Sequence, residues 1–119
     1  MIEIQVVAKF AIKDGNLDEF KRVANEAMAI VREKEAGTLA YDWYFDDENT
    51  TCVVIQRYSS PAALLHHIRH VSGHLAELSK LASRSIEVYG IIPPELAEII
   101  APFGAKIFVP QLWLERQAV

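Results

Sequence analysis

The chain has 119 residues, 51% of them hydrophobic, and a net charge of −4 at neutral pH. That is enough apolar material for one core and too little for two independent domains. Lys and Arg are scattered rather than striped, which excludes the electrostatic footprint of a nucleic-acid or anionic-membrane binder and gives acidic substrates no advantage.

Residues 2 to 12, IEIQVVAKFAI, place Ile2, Ile4, Val6, Ala8, Phe10 and Ile12 on one face and Glu3, Gln5 and Lys9 on the other, the period of a strand. Asp14-Gly15 forms a turn, and Asn16 is predicted to cap a helix with Glu19 as its reciprocal partner. Phe20, Val23, Ala24, Ala27, Ile30 and Val31 then recur at helical spacing to about Glu35, with Gly37 as the expected stop. TLAYDWYF (38 to 45) alternates Leu39, Tyr41, Trp43 and Phe45 against Ala40, Asp42 and Tyr44. After the acidic turn Asp46 to Asn49, TCVVIQRY (51 to 58) completes an antiparallel hairpin. The single Cys52 inside that strand is expected to be an inert core thiol.

Ser60-Pro61 has the cap and first-turn chemistry of a second helix. It carries LLHHIRHVSGH, in which His66, His67, His70 and His74 fall within nine positions. On a helix with the stripe Leu64, Ile68, Val71, Leu75, Leu78 and Ala82, His67 and His74 flank the buried face, His70 lies further round and His66 meets water. Ser72-Gly73 predicts a break in this helix. SIEVYGII (85 to 92) reads as a fourth strand, Pro93-Pro94 opens a short helix (ELAEII), and KIFVPQLW (106 to 113) is a fifth strand or an arm.

The order to residue 92 is β-α-β-β-α-β, a ferredoxin-like α+β arrangement with both helices on one face of an antiparallel sheet. Residues 93 to 119 add a C-terminal helix and strand or arm to the same domain. The face without helices would expose Tyr41, Trp43 and Phe45 or their alternating neighbours as an apolar patch. A second copy placed sheet to sheet covers it, giving a homodimeric α+β barrel that encloses a cavity between sheet, helix and the partner's arm.

Three stretches carry a family resemblance: EAGTLAYDW after the first helix; QRYSSPAALLHH, with its His nine residues after Tyr58; and IEVYGIIPPELAEIIAPFGAKIF beyond them. Together they resemble the antibiotic biosynthesis monooxygenase (ABM) family of dimeric α+β barrels, whose small bacterial members are often labelled quinol monooxygenases. The resemblance implies a cofactor-independent monooxygenase acting on a quinol or polyphenol with O₂. Two departures are visible. Gln56 stands where relatives commonly carry Glu, two residues before the strand aromatic. The Asn, Trp and His set of the haem-degrading branch is also unmatched: His67 falls where its Trp stands and Glu77 near its His, which disfavours haem degradation.

Among the histidines, the i, i+4 pairs His66/His70 and His70/His74 have metal-ligand spacing, but no third ligand is well placed, so no metal is expected. His67 is the candidate base, a neutral imidazole facing the cavity and able to deprotonate a phenol, with His74 or Tyr58 assisting. Tyr41, Trp43 and Tyr58 would wall in a flat substrate, although barrel packing alone also accounts for them. Asp42, Arg57 and Arg69 read as surface residues. No Gly-rich phosphate loop, GxGxxG, CxxC or Ser nucleophile elbow occurs, and no cofactor is expected. The start MIEIQVV lacks a signal-peptide pattern, and no run approaches the roughly 20 apolar residues of a membrane span, so a cytoplasmic protein is expected. A non-catalytic small-ligand or stress-response barrel is the alternative.

Overall fold

The structure, a computed structural model, describes residues 3–116; Ile2, first of the alternating positions, lies outside them. In chain order come β1 (Ile4–Ile12), α1 (Leu17–Lys34), β2 (Thr38–Phe45), β3 (Thr51–Tyr58), α2 (Pro61–Leu81), β4 (Ala82–Tyr89), α3 (Pro94–Ile100), a 3-10 turn (Ala101–Phe103) and β5 (Lys106–Phe108). The sheet order is β2-β3-β1-β4-β5. Its first four strands pair antiparallel as the ferredoxin-like pattern requires, and β5 adds to β4 in parallel, which makes the sheet mixed. Among the described residues no helix is long and apolar enough to cross a membrane.

Ile4, Val6, Ala8 and Phe10 of β1 are buried beneath the helices, as their alternation predicts. Phe20 of α1 drops its ring edge-on to Phe10, Trp43 and Phe45, with centroids 5.4, 6.2 and 6.1 Å away. These contacts fix which face of β2 looks inward: Trp43 and Phe45 meet the helices, so the outer face carries their neighbours. Val7, Val53 and Ile55 are half-buried there and Tyr44 is exposed.

Four local expectations are corrected. Leu39 is 47% exposed, because the β2-β3 register shifts between Thr38 and Ala40 and turns it away from the core. Asn16 occupies the cap position of α1, but its amide donates to the Leu81 carbonyl at 3.2 Å instead of closing a capping box. α2 runs unbroken through Ser72-Gly73. Both residues are exposed, and the glycine penalty of about 1 kcal/mol is outweighed by burial of Val71 and Leu78 on either side, worth about 1.5–3 kcal/mol each. Gly37 does not end α1 through a left-handed turn. Its role is closeness, since a Cβ there would lie 2.8 Å from the Ala63 Cβ, so the α1-β2 connection sits directly against the first turn of α2.

Ser60 caps α2 as expected, its hydroxyl accepting from the Ala63 N–H at 3.2 Å. Beyond β4, Leu96 and Ile100 of α3 are buried in a second cluster with Ile4, Leu64 and Val88. Gly104, at φ 73°, makes the left-handed turn into β5.

Candidate active site

A cavity of about 90 Å³ lies inside one protomer, between the helix-covered face of the sheet and α2. Within this chain its lining comes from four strands of the sheet, α2 and the C-terminal segment. Tyr41 and Trp43 of β2, Gln56 of β3, and His67, Ser72 and His74 of α2 are its polar lining, and the remaining lining side chains are apolar.

The imidazole of His67 is buried, with ring centroids 5.0 Å from Tyr41 and 5.1 Å from Tyr58. Its Nδ1 lies 2.8 Å from Oε1 of Glu35. Glu35 leaves the end of α1 and, through the close approach at Gly37, turns its carboxylate under α2 with 1% side-chain exposure. The Thr38 hydroxyl donates to the same Oε1 at 2.7 Å, and Nδ1 of His70 lies 2.9 Å from Oε2. Burial alone would raise this carboxyl, but the hydrogen bonds from His67 and Thr38 outweigh it and hold the group at about 2.

An ionised carboxylate only accepts hydrogen bonds, so His67 and His70 both present Nδ1–H to it. In the neutral ring of His67 the lone pair then resides on Nε2. The arrangement is a carboxylate-oriented imidazole at the wall of an apolar cavity, the geometry of a general base held in one tautomer.

The remaining candidates divide. Burial raises both Tyr41 and Tyr58 above the ordinary phenol range, so they stay protonated and neither serves as a phenolate base. Tyr58 spends its hydroxyl on the side-chain oxygen of Gln56. The indole N–H of Trp43 is buried without a hydrogen-bond partner, a costly state that a ligand acceptor would relieve. His74 lines the cavity two helical turns from His67, about 10 Å along the axis, with its Nε2 3.8 Å from Glu26. The two histidines therefore do not converge on one atom.

Glu35 escaped the sequence reading, as did the role of His70, which the helical wheel placed further round from the buried face but whose Nδ1 meets the carboxylate. Two imidazoles three residues apart on one helix flank want a shared acceptor, yet nothing local marks a residue 32 positions upstream as that acceptor. Cys52 is buried, with its thiol pushed up to about 12 by that burial. Arg57 is exposed and paired with Glu3, and Asp42 is exposed. Among the described residues no group of three or more His, Cys, Asp or Glu side chains is arranged to hold a metal ion.

The family model of antibiotic biosynthesis monooxygenases matches residues 4–82. No curated protein matches the chain significantly. Among solved structures, MupZ from Pseudomonas fluorescens is similar at 24% identity and a TM-score of 0.81, over 100% of this chain and 98% of that one. A conserved protein from Methanosarcina mazei shares 26% identity with a TM-score of 0.67, over 75% of this chain and 92% of that one. SnoaB, a cofactor-independent oxygenase from Streptomyces nogalater, shares 16% identity with a TM-score of 0.64, over 74% of this chain and 91% of that one.

Proposed function

The chain belongs to the antibiotic biosynthesis monooxygenase family, and from that membership together with the site geometry we propose that it is a cofactor-independent monooxygenase of a quinol or polyphenol. The observation that carries the reading is the buried Glu35–His67 pair at the wall of an apolar cavity. In the proposed reaction Nε2 of His67 takes a proton from the bound phenol, and the electron-rich anion transfers electrons to O₂ with formation of a carbon–oxygen bond. Loss of water from the resulting peroxide leaves a carbonyl, so that RH₂ + O₂ gives R=O + H₂O with all electrons supplied by the substrate. Exclusion of water keeps the anion from being reprotonated. The Trp43 N–H, lacking a protein partner, is suited to an oxygen that gains charge.

His67 is the base in this account, Glu35 a positioning residue, and Tyr41 and Trp43 the aromatic wall, while Tyr58, expected there, packs against His67 outside the lining. His74 has a peripheral role at most, set by its distance along α2. We further propose that the half-apolar outer sheet face and the C-terminal arm, with Leu112 95% exposed, meet a second copy of the chain. Residues 93–119 then serve both the domain and that interface. Light scattering during size exclusion tests the dimer, and a monomer at micromolar concentration refutes it.

Oxygen uptake over a panel of quinols and naphthols tests the reaction. For an accepted substrate His67→Gln is expected to lower the rate by about 10²–10⁴, the usual share of a general base. An unchanged rate removes His67 from the chemistry. Tight binding without uptake by any compound favours the second reading, a ligand-capturing barrel, which the apolar cavity supports equally well.

A further inference from the structure

The cavity is chemically lopsided. At one end stand Tyr41, Trp43, Gln56 and His67, and at the other Ile86 and Val88 of β4 with Ile100, Phe103 and Ala105 of the C-terminal segment, which offer no polar side-chain atom. β2 and β4 are three places apart in the sheet, roughly 14 Å at the usual spacing of about 4.8 Å. A volume of about 90 Å³ drawn out across that span is a narrow corridor.

The exposure pattern points to the apolar end as the open one. Ile68 packs against the cluster that holds Leu96 and Ile100, which fixes that flank of α2 as the one facing α3. Ser72, one turn further along the same flank, is the lining residue that stays exposed, and Phe103 and Ala105 opposite it are half-buried. The wall is anchored: Arg84 donates to the Phe103 carbonyl at 3.2 Å, and β5 pairs with β4 through Glu87–Lys106, Val88–Ile107 and Tyr89–Phe108. This segment lies beyond residues 4–82, and the similarity to MupZ, which covers 100% of this chain, extends over it.

We propose that the corridor takes an elongated amphipathic ligand, with a phenolic head at His67 and Gln56 and an unbranched hydrocarbon tail running between α2 and β4 to leave beneath Phe103. The head rests on the functional reading above, whereas the tail rests on the lining alone. A charged tail is disfavoured because the β4 and C-terminal wall offers no polar side-chain atom to repay its desolvation, Ser72 and His74 of α2 being the polar groups on the facing side.

The test is calorimetric binding of phenol and 4-alkylphenols, from ethyl to octyl, with alkylbenzenes as headless controls, to the full chain. Affinity is expected to rise about four-fold per methylene, the equivalent of about 0.8 kcal/mol. It should level off once the tail fills the stretch between the ring and Phe103. Ala105→Phe is expected to move the plateau to shorter chains, and Phe103→Ala, at the open end, to extend it. Should the first variant fold poorly, the second carries the comparison. His67-dependent phenol binding with no gain from chain length overturns the tail site and leaves the phenol reading intact. Equal length dependence for alkylbenzenes and alkylphenols upholds the tail site and removes the phenolic head. Binding of neither series overturns both.

Discussion

Glu35→Gln exchanges one oxygen for an amide nitrogen at almost constant shape, and the geometry dictates its cost. Oε1 receives Thr38 and His67, and Oε2 receives His70. An amide oxygen in the first position keeps two of these bonds but turns both from charge-assisted to neutral, a loss of about 1 kcal/mol each. The amide N–H then faces His70 Nδ1, and His70, with 24% side-chain exposure, can shift its proton to the other nitrogen. The expected destabilisation is about 2 kcal/mol, rising to about 4 kcal/mol for Glu35→Ala, which leaves the buried His67 N–H without a partner.

Charge adds a pH signature to that loss. The folded carboxyl at about 2 is depressed relative to an unfolded value of about 4.3. Its stabilisation is therefore complete above the unfolded value and disappears as pH falls from about 4 to about 2. Unfolding free energies of the native chain and Glu35→Gln, from urea titrations followed by far-ultraviolet circular dichroism, should stand about 2 kcal/mol apart at neutral pH and converge at about pH 2. A gap absent at neutral pH, or undiminished at the acid end, refutes the ionised buried carboxylate.

Gly37→Ala forces a Cβ to within 2.8 Å of the Ala63 Cβ, so thermal melting should register a loss of about 1–3 kcal/mol. A neutral outcome would mean that the α1-β2 connection does not press on α2. Tyr58→Phe removes the donor to Gln56 inside the core and should cost about 1 kcal/mol in the same assay. Cys52, with its thiol at about 12, should be inert to an aromatic disulfide reagent at about pH 8 in the folded chain and react fully in denaturant. Native-state labelling at the denatured rate would contradict its burial.

The fold was legible because its strongest signals are periodic and local. Alternation from Ile4 to Phe10 and the three-and-four spacing of Phe20, Val23, Ala27 and Val31 each identify one element and its buried face. The errors arose where tertiary packing decides. Gly73 costs its helix less than the flanking apolar residues gain, and the irregularity at Leu39 reverses one side chain within an otherwise alternating strand. Of the candidate site, His67 was readable from its place at the rim of the apolar stripe. Glu35 was not, because its partners lie on another helix and the contact depends on a missing Cβ at Gly37. Which face of the sheet borders the cavity was not legible either. Alternation shows that a strand has two faces without telling which faces the helices, and it took the Phe20 contacts to turn Trp43 and Phe45 inward.

The central claim is that the imidazole of His67, held by Glu35, ionises a phenol inside the cavity. Difference absorption spectra of a bound naphthol or hydroquinone, recorded without oxygen, test it most directly. The native chain should produce the phenolate band at a pH where the free ligand is neutral, and His67→Gln should bind the ligand without that band. An equal band in both proteins, or none in either while the ligand is bound, contradicts the account.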